Sequence, residues 1–162
     1  MAQRTSLRRD AVDILTPLGW LNGTLHVPAH LGLREHLSLG SQDLKVTGVC
    51  VEGEPERLRF LALRRSAATV VAPALTEDPD PLPDYMRERE VACLLSTGML
   101  RGTLRVHASL RLSDHLSLEG PWLTMRHCLL VPYGGTANSP GARSLHMAIT
   151  NISQVLGVSE GP

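Results

Sequence analysis

The sequence predicts a mainly β protein with short helical turns, built as a tandem duplication of one small β-barrel-like module. Three observations lead to this class: a repeat at a spacing of 79 residues, apolar side chains at every second position, and a proline-rich acidic stretch between the repeats. The copies are residues 10–72 and 91–158, joined by a linker at 73–90. Because a lone module of about 65 residues has a marginal core, we expect the copies to form a pseudo-twofold pair.

The repeat is clearest in residues 19–27 and 98–106, which share the pattern G-x-L-x-G-T-L-x-V. Over the aligned residues 12–44 and 91–123, 16 of the 33 positions are identical. Unrelated segments of this length share only a few identities by chance. A duplicated structural unit is therefore the first interpretation of the chain.

The opening segment of each copy predicts a half-buried strand. In the second copy Leu100, Leu104 and Val106 have the same parity, and polar residues alternate with them, which is the two-residue period of a strand. Gly23 and Gly102 lie at matching positions on the apolar side. A glycine inside a strand often marks a bulge or a sharp bend, so we expect one in both copies.

A short helical turn and further strands complete each copy. In residues 110–116 of the second copy, Ser113 fits an N-cap and two leucines lie four residues apart, which favours a helical turn. Residues 123–131 are an apolar run and predict a buried strand. Residues 145–158 predict either one strand or two strands around Asn151.

The two copies differ in length near their ends. Residues 60–63 match residues 146–149 at a spacing of 86, which predicts seven extra residues in a loop at 133–141. The linker is rich in proline, which lacks a backbone donor, and in acids, which resist burial. We expect it to be semi-extended, with a short helical turn allowed at residues 84–89.

Composition argues against several classes of protein. Sixteen basic and sixteen acidic residues cancel, so the basic excess of a dedicated nucleic-acid binder is missing. Aromatic residues make up only 3% of the chain, which is poor material for stacking single-stranded nucleic acid. The start of the chain has no apolar stretch typical of a signal peptide, and no run of about 18 apolar residues predicts a membrane span. We expect a cytoplasmic protein with no membrane partner.

Motifs for catalysis or cofactor binding are not found in the sequence. It has no glycine-rich phosphate loop and no G-x-S-x-G nucleophile motif. The three cysteines, Cys50, Cys93 and Cys128, form no C-x-x-C pair and lie in apolar runs. Buried cysteines usually act as small apolar side chains. We therefore expect no catalytic residue and no cofactor.

Two histidines, His36 and His115, occupy equivalent positions of the repeat. They are weak candidates for a metal or ligand site between the copies, because imidazole is a common metal ligand and proton acceptor. The favoured interpretation is that each histidine packs or caps at the helical turn, so that no metal is bound.

An arginine-rich stretch follows the third strand of the first copy. Arginines on one strand face can bind phosphate or an acidic partner. Glu54 and Glu56 lie nearby, so an ion-paired, solvated surface is the favoured alternative. The candidate nucleic-acid or partner surface consists of Arg57, Arg59, Arg64 and Arg65.

The glycine-containing strand and the segment Leu110–Leu116 resemble an uncharacterised family of small bacterial β domains. That family carries a G-x-[LIV]-x-V strand followed by an R-L-S-D-x-L turn, and the second copy matches it. The first copy departs from it at residues 32–37, where the Arg and Ser positions are Gly32 and Arg34 and the Asp position is Glu35. The order of elements also resembles Sm-like small barrels. Neither resemblance implies catalytic residues, and fold alone does not transfer function.

Three functional hypotheses follow, in this order. The first is a non-enzymatic protein-interaction, scaffold or regulatory module that associates with itself or with a protein partner, because sheet edges need covering. The second is an Sm-like regulator that binds nucleic acid through the arginines. The third is a ligand- or metal-sensing barrel that uses the two histidines.

Overall fold

The structure is a computed structural model that describes residues 6–40 and 42–161. The chain divides into two compact units, Met1–Leu75 and Thr76–Pro162. Both units are mainly β, every described strand pair within them is antiparallel, and each contains a short α-helix in its described part. These features confirm the predicted mainly β class with short helical elements.

The first unit has a strand order that differs from its chain order. The strands lie side by side as β5-β1-β2-β3-β4, and the helix lies against β2. A 3₁₀ turn at Arg65–Ala67 precedes the last strand. The elements are β1 (Leu7–Thr16), β2 (Gly19–Pro28), α1 (Leu33–Leu39), β3 (Asp43–Val51), β4 (Arg57–Arg64) and β5 (Val70–Pro73).

The second unit has the same order of elements. Its strands lie side by side as β10-β6-β7-β8-β9, and its helix contacts β7 and β8. A 3₁₀ turn at Ile152–Gln154 separates the last two strands, so the prediction of two strands around Asn151 is confirmed. The elements are β6 (Met86–Leu94), β7 (Met99–His107), α2 (Leu112–Glu119), β8 (Trp122–Val131), β9 (Arg143–Asn151) and β10 (Gly157–Glu160).

Two local predictions are wrong. The N-cap of α2 is Arg111, which makes no side-chain cap hydrogen bond, and Ser113 lies inside the helix. The short helical turn allowed at residues 84–89 is not formed, because β6 begins at Met86 and pairs along its whole length with β7. Cross-strand pairing therefore outweighs the local preference of that stretch.

The two units pair their strands in the same register. Val12 lies opposite Gly23 in the first unit, and Val91 lies opposite Gly102 in the second, which keeps the spacing of 79. For the last strands the spacing is 87, because Leu61 corresponds to Ala148. The spacing of 86 inferred from the sequence is therefore wrong by one residue, and the second unit has eight extra residues between the equivalent positions of these two strands. A slip of one residue moves every side chain to the other face.

Both units carry a β-bulge at the glycine that occupies equivalent strand positions, Gly23 in the first unit and Gly102 in the second. The register shifts between Asn22 and Thr24 in the first unit and between Arg101 and Thr103 in the second. The bulge predicted from the paired glycines is thus confirmed. Within it, the facing strands have a left-handed residue at matching positions, and these residues are Gly48 with φ 59° and His127 with φ 51°.

Replacing glycine at one left-handed position and introducing glycine at the other is expected to change the stability of the protein in opposite directions. A left-handed residue other than glycine costs roughly 1–2 kcal/mol. Gly48→Ala should therefore lower the free energy of unfolding by about 1 kcal/mol, and His127→Gly should raise it by up to about 1 kcal/mol. No atom lies within 4 Å of a Cβ added at Gly48, so a steric clash would not add to the loss of stability caused by backbone strain. Urea titration measures the free energy of unfolding of both variants. A loss of stability in both of them would contradict backbone strain at His127.

Within the described residues, the strands of each unit form an open sheet. The first unit ends at β5 and β4, the second ends at β10 and β9, and no described pair joins the two end strands of one unit. Barrel closure is therefore not seen within the part of the chain that is described. The cores come from the strands, the end strands β5 and β9 among them, and from both helices. They include Ile14, Leu25, Leu37, Val46, Leu100, Leu104, Leu123 and Met125.

Candidate functional site

The strand β4 presents an uncovered edge to solvent. Its described strand pairing is with β3 alone. Leu58 and Phe60 are 41% and 57% exposed, and Arg57 and Arg59, which alternate with them, are exposed as well. We call these four residues, 57–60, the β4 edge. An edge strand with exposed apolar side chains is a template for binding another chain.

The arginines of the β4 edge are not used within the chain. Among the described residues, neither Arg57 nor Arg59 makes an ion pair or side-chain hydrogen bond. The ion pairing expected from Glu54 and Glu56 is therefore not formed in the described structure. Two solvated positive charges thus flank exposed apolar side chains, and this pattern suits an acidic partner with some apolar character.

The other two predicted surface arginines have partners. Arg64 Nη1 lies 3.2 Å from Asp43 Oδ1, across the β3–β4 pair. Arg65 is half-buried and donates a hydrogen bond to the carbonyl oxygen of Gly40, directly after α1. The four-arginine set proposed from the sequence is thus divided into two solvated residues and two that make contacts within the first unit.

Helix α1 is held at both ends by arginine side chains. Arg8 binds both carboxylate oxygens of Asp10, at 2.8 and 3.0 Å, and donates to the carbonyl oxygen of Leu31 at 3.0 Å. Arg65 binds the carbonyl of Gly40 at the other end. Charge-assisted, two-point arginine bonds are among the stronger side-chain contacts. The residues that hold the helix therefore come from β1 and from the 3₁₀ turn, and sequence reasoning missed them.

In the second unit, an arginine side chain also binds a backbone carbonyl just before the helix. Arg89 donates to the carbonyl oxygen of Leu110 at 3.5 Å and pairs with Glu160 at 2.7 Å. Leu110 corresponds to Leu31 in the repeat, whereas Arg89 corresponds to Asp10 rather than to Arg8. The two units thus reach the same carbonyl from different sequence positions, which explains why the repeat did not reveal this contact.

The candidate histidines lie on the helices, one in each unit. His36 is half-buried on α1, and His115 is buried on α2. His115 Nε2 lies 3.0 Å from Glu119 Oε2, one helical turn later. The two histidines therefore share a position on the helix but differ in their charged neighbours.

His36 lies in an electropositive setting. Burial and the nearby charges of Arg65 and Arg8 lower its pKa below the ordinary value, while Asp10 opposes this. Within the described residues its Nδ1 atom is buried and has no hydrogen-bond partner. A neutral, half-buried imidazole beside two guanidinium groups is poorly placed to attract a metal cation.

Neither metal-ligand groups nor membrane-crossing helices are found in residues 6–40 and 42–161. No group of three or more His, Cys, Asp or Glu side chains there could hold a metal ion. No helix in the same ranges has the length and apolar character needed to cross a bilayer.

The cysteines divide into one accessible and two buried thiols. Cys50 is half-exposed on β3, whereas Cys93 and Cys128 are buried in the second unit. Burial raises the pKa of Cys93 to about 11. Burial, with a smaller effect of Cys93, raises that of Cys128 to about 12. A thiol is a nucleophile only as the thiolate, so these two are chemically inert at neutral pH.

Comparison of the chain with family models, curated proteins and solved structures finds no match. Among the described residues, the β4 edge is the feature with the clearest chemical character.

Proposed function

We propose that this protein is a non-enzymatic interaction or scaffold module that works as a homo-oligomer and arose by tandem duplication of one small β module. The observation that carries the oligomer is the β4 edge, where a strand paired on one side only presents exposed Leu58 and Phe60. Natural proteins usually protect such edges by covering or pairing them. Association through the edge buries apolar area and satisfies backbone groups at the same time.

The duplication is supported by the matching elements and registers of the two units. The same order of strands, helix and 3₁₀ turn occurs in both, and both carry the bulge and its left-handed residue. The 16 identities over 33 positions agree with this correspondence. One module that was copied and then diverged accounts for all three observations.

Native mass spectrometry over a range of protein concentrations tests the proposed oligomer. We expect a dimer or larger assembly at micromolar concentration. Replacing both apolar residues of the edge, Leu58→Ser with Phe60→Ser, should weaken association at least tenfold, because burying each apolar side chain contributes about 1–2 kcal/mol.

A matched control removes two exposed leucines elsewhere, Leu18→Ser with Leu156→Ser, whose side chains are 100% and 73% exposed. This variant should keep the oligomer of the unchanged protein. A monomer at every concentration up to about 100 μM, far weaker than an ordinary specific complex, would overturn the proposal.

Nucleic-acid binding in the manner of Sm-like regulators is the second candidate function, and solvated Arg57 and Arg59 favour it. Two free arginines provide few phosphate contacts, since the other two members of the set have partners in the chain. Such binding must weaken steeply as salt rises. Fluorescence anisotropy with labelled single-stranded RNA and DNA at low salt tests it, and no binding at 50 mM salt would remove it.

A further inference from the structure

We propose that the acidic segment, residues 77–84, of one copy of the chain docks as an added strand on the β4 edge of a second copy. This inference rests on the proposed homo-oligomer and names the surfaces that form it. The segment reads Glu-Asp-Pro-Asp-Pro-Leu-Pro-Asp and contains four acids and no basic residue. The two surfaces therefore carry opposite charge.

The acidic segment has no structural role that its own chain reveals. Apart from half-buried Pro83, its residues are exposed, and they form no helix or strand. Among the described residues, the four acids make no ion pair or side-chain hydrogen bond. A solvated acidic stretch and a solvated basic edge thus occur in the same molecule, and each lacks a partner for its charge.

The prolines of the segment are spaced as an added edge strand requires. Pro79, Pro81 and Pro83 occupy every second position. In a strand, alternate residues direct their N–H and C=O groups to the same side. The residues between the prolines can therefore bond to β4 while the prolines face away, where a missing N–H costs nothing. The same prolines prevent a further strand from adding on the outside.

Side chains of the segment also suit the β4 edge. Asp78 and Asp80 have the same two-residue spacing as Arg57 and Arg59. The prolines between these acids lie on the opposite face of the added strand, which is the face of Phe60, and their rings can cover part of its exposed apolar surface. Opposite charges on adjacent strands are stabilising, whereas direct pairing of two β4 edges would place arginines near arginines. Charge thus favours the acidic segment over a second β4 as the occupant.

A second copy, rather than the same chain, is the source of the segment. The segment begins just after β5, and β5 and β4 lie at opposite ends of the strand order of the first unit. A strand added outside β4 lies five strand spacings from β5, which is about 24 Å along the sheet. Asp78 follows Pro73 by five residues, which extend over at most about 18 Å. The segment's first half thus falls short of its own β4 edge.

Charge reversal with mixing tests the pairing. One variant carries Arg57→Glu with Arg59→Glu, and the other carries Asp78→Lys with Asp80→Lys. All four side chains are exposed, so both variants should fold normally, and circular dichroism checks this. Each variant alone should self-associate at least tenfold more weakly, because like charges across an interface are repulsive. An equimolar mixture should restore the complex, since every edge then meets a segment of opposite charge.

The matched control reverses the charge of two exposed arginines outside the edge, Arg9→Glu with Arg111→Glu. This variant should form the same oligomer, with the same affinity, as the unchanged protein. A chain with all four changes should associate with itself. If the unchanged protein is oligomeric and both reversals leave its affinity unaltered, this inference is wrong while the proposed function stands. If the unchanged protein is monomeric throughout, both are wrong.

Discussion

Replacing Gly102 with alanine is expected to destabilise the second unit by about 2–3 kcal/mol, the upper part of the range for adding atoms to a filled site. A Cβ at this position would lie 2.7 Å from Cys128 Sγ and 3.0 Å from the carbonyl oxygen of Arg126. The sulfur belongs to a buried side chain and the oxygen to the paired strand, so neither can move away cheaply. Gly102→Val, with two more carbons, should prevent the unit from folding.

The same change at Gly23 should act in the same way on the first unit. A Cβ there would lie 2.8 Å from Val46 Cγ1 and 3.0 Å from the carbonyl oxygen of Thr47. Urea unfolding, followed by circular dichroism, gives the free energy of unfolding for both variants. Gly157→Ala is the matched control, because its Cβ would meet only Leu94 Cδ1, at 3.7 Å. A loss below about 0.5 kcal/mol for Gly102→Ala, the size of an ordinary surface effect, would contradict the close approach.

Alkaline pH is expected to destabilise the second unit through its buried thiols. The raised pKa values of Cys93 and Cys128, about 11 and about 12, mean that the folded state holds both protons more tightly than the unfolded state. This stabilisation is complete below the unfolded pKa, near 9, and is lost as pH rises through the folded values. Each thiol should cost about 1.4 kcal/mol per pH unit above 9.

Urea titrations between pH 7 and pH 10.5 measure this loss. In the variant Cys93→Ala with Cys128→Ala, stability at pH 7 should be lower because of the cavities, but its decline above pH 9 should be shallower. Cys50→Ala is the control, since it removes the half-exposed thiol of the first unit and leaves the two buried thiols in place. An identical alkaline slope in the double variant and the unchanged protein would show that the thiols are not responsible.

Much of the fold could be read from periodicity and repetition. The alternation of Leu100, Leu104 and Val106 predicted β7, and the apolar run 123–131 predicted β8, which spans Trp122–Val131. The paired glycines predicted the bulges. These features depend on neighbours in sequence or on a motif that occurs twice, so one sequence is enough to predict them.

The candidate site was predicted only in part. Sequence reasoning selected Arg57 and Arg59 together with Arg64 and Arg65, because a run of arginines does not reveal which of them have partners. It did not select Leu58 or Phe60, since apolar residues in a strand are expected to be buried. The exposure of both depends on whether another strand covers β4, and this is a property of strand order rather than of local composition.

The sequence by itself determined the mainly β class, the order of strands and helix, and the position of the bulges, because side-chain period and glycine placement act locally. Tertiary structure alone decided the register of the last strands, at a spacing of 87 rather than 86. It also decided that Arg8 and Arg65 hold the ends of α1, and that β4 is left uncovered. Each of these depends on residues far apart in the chain, whose contacts arise only when the whole sheet has formed.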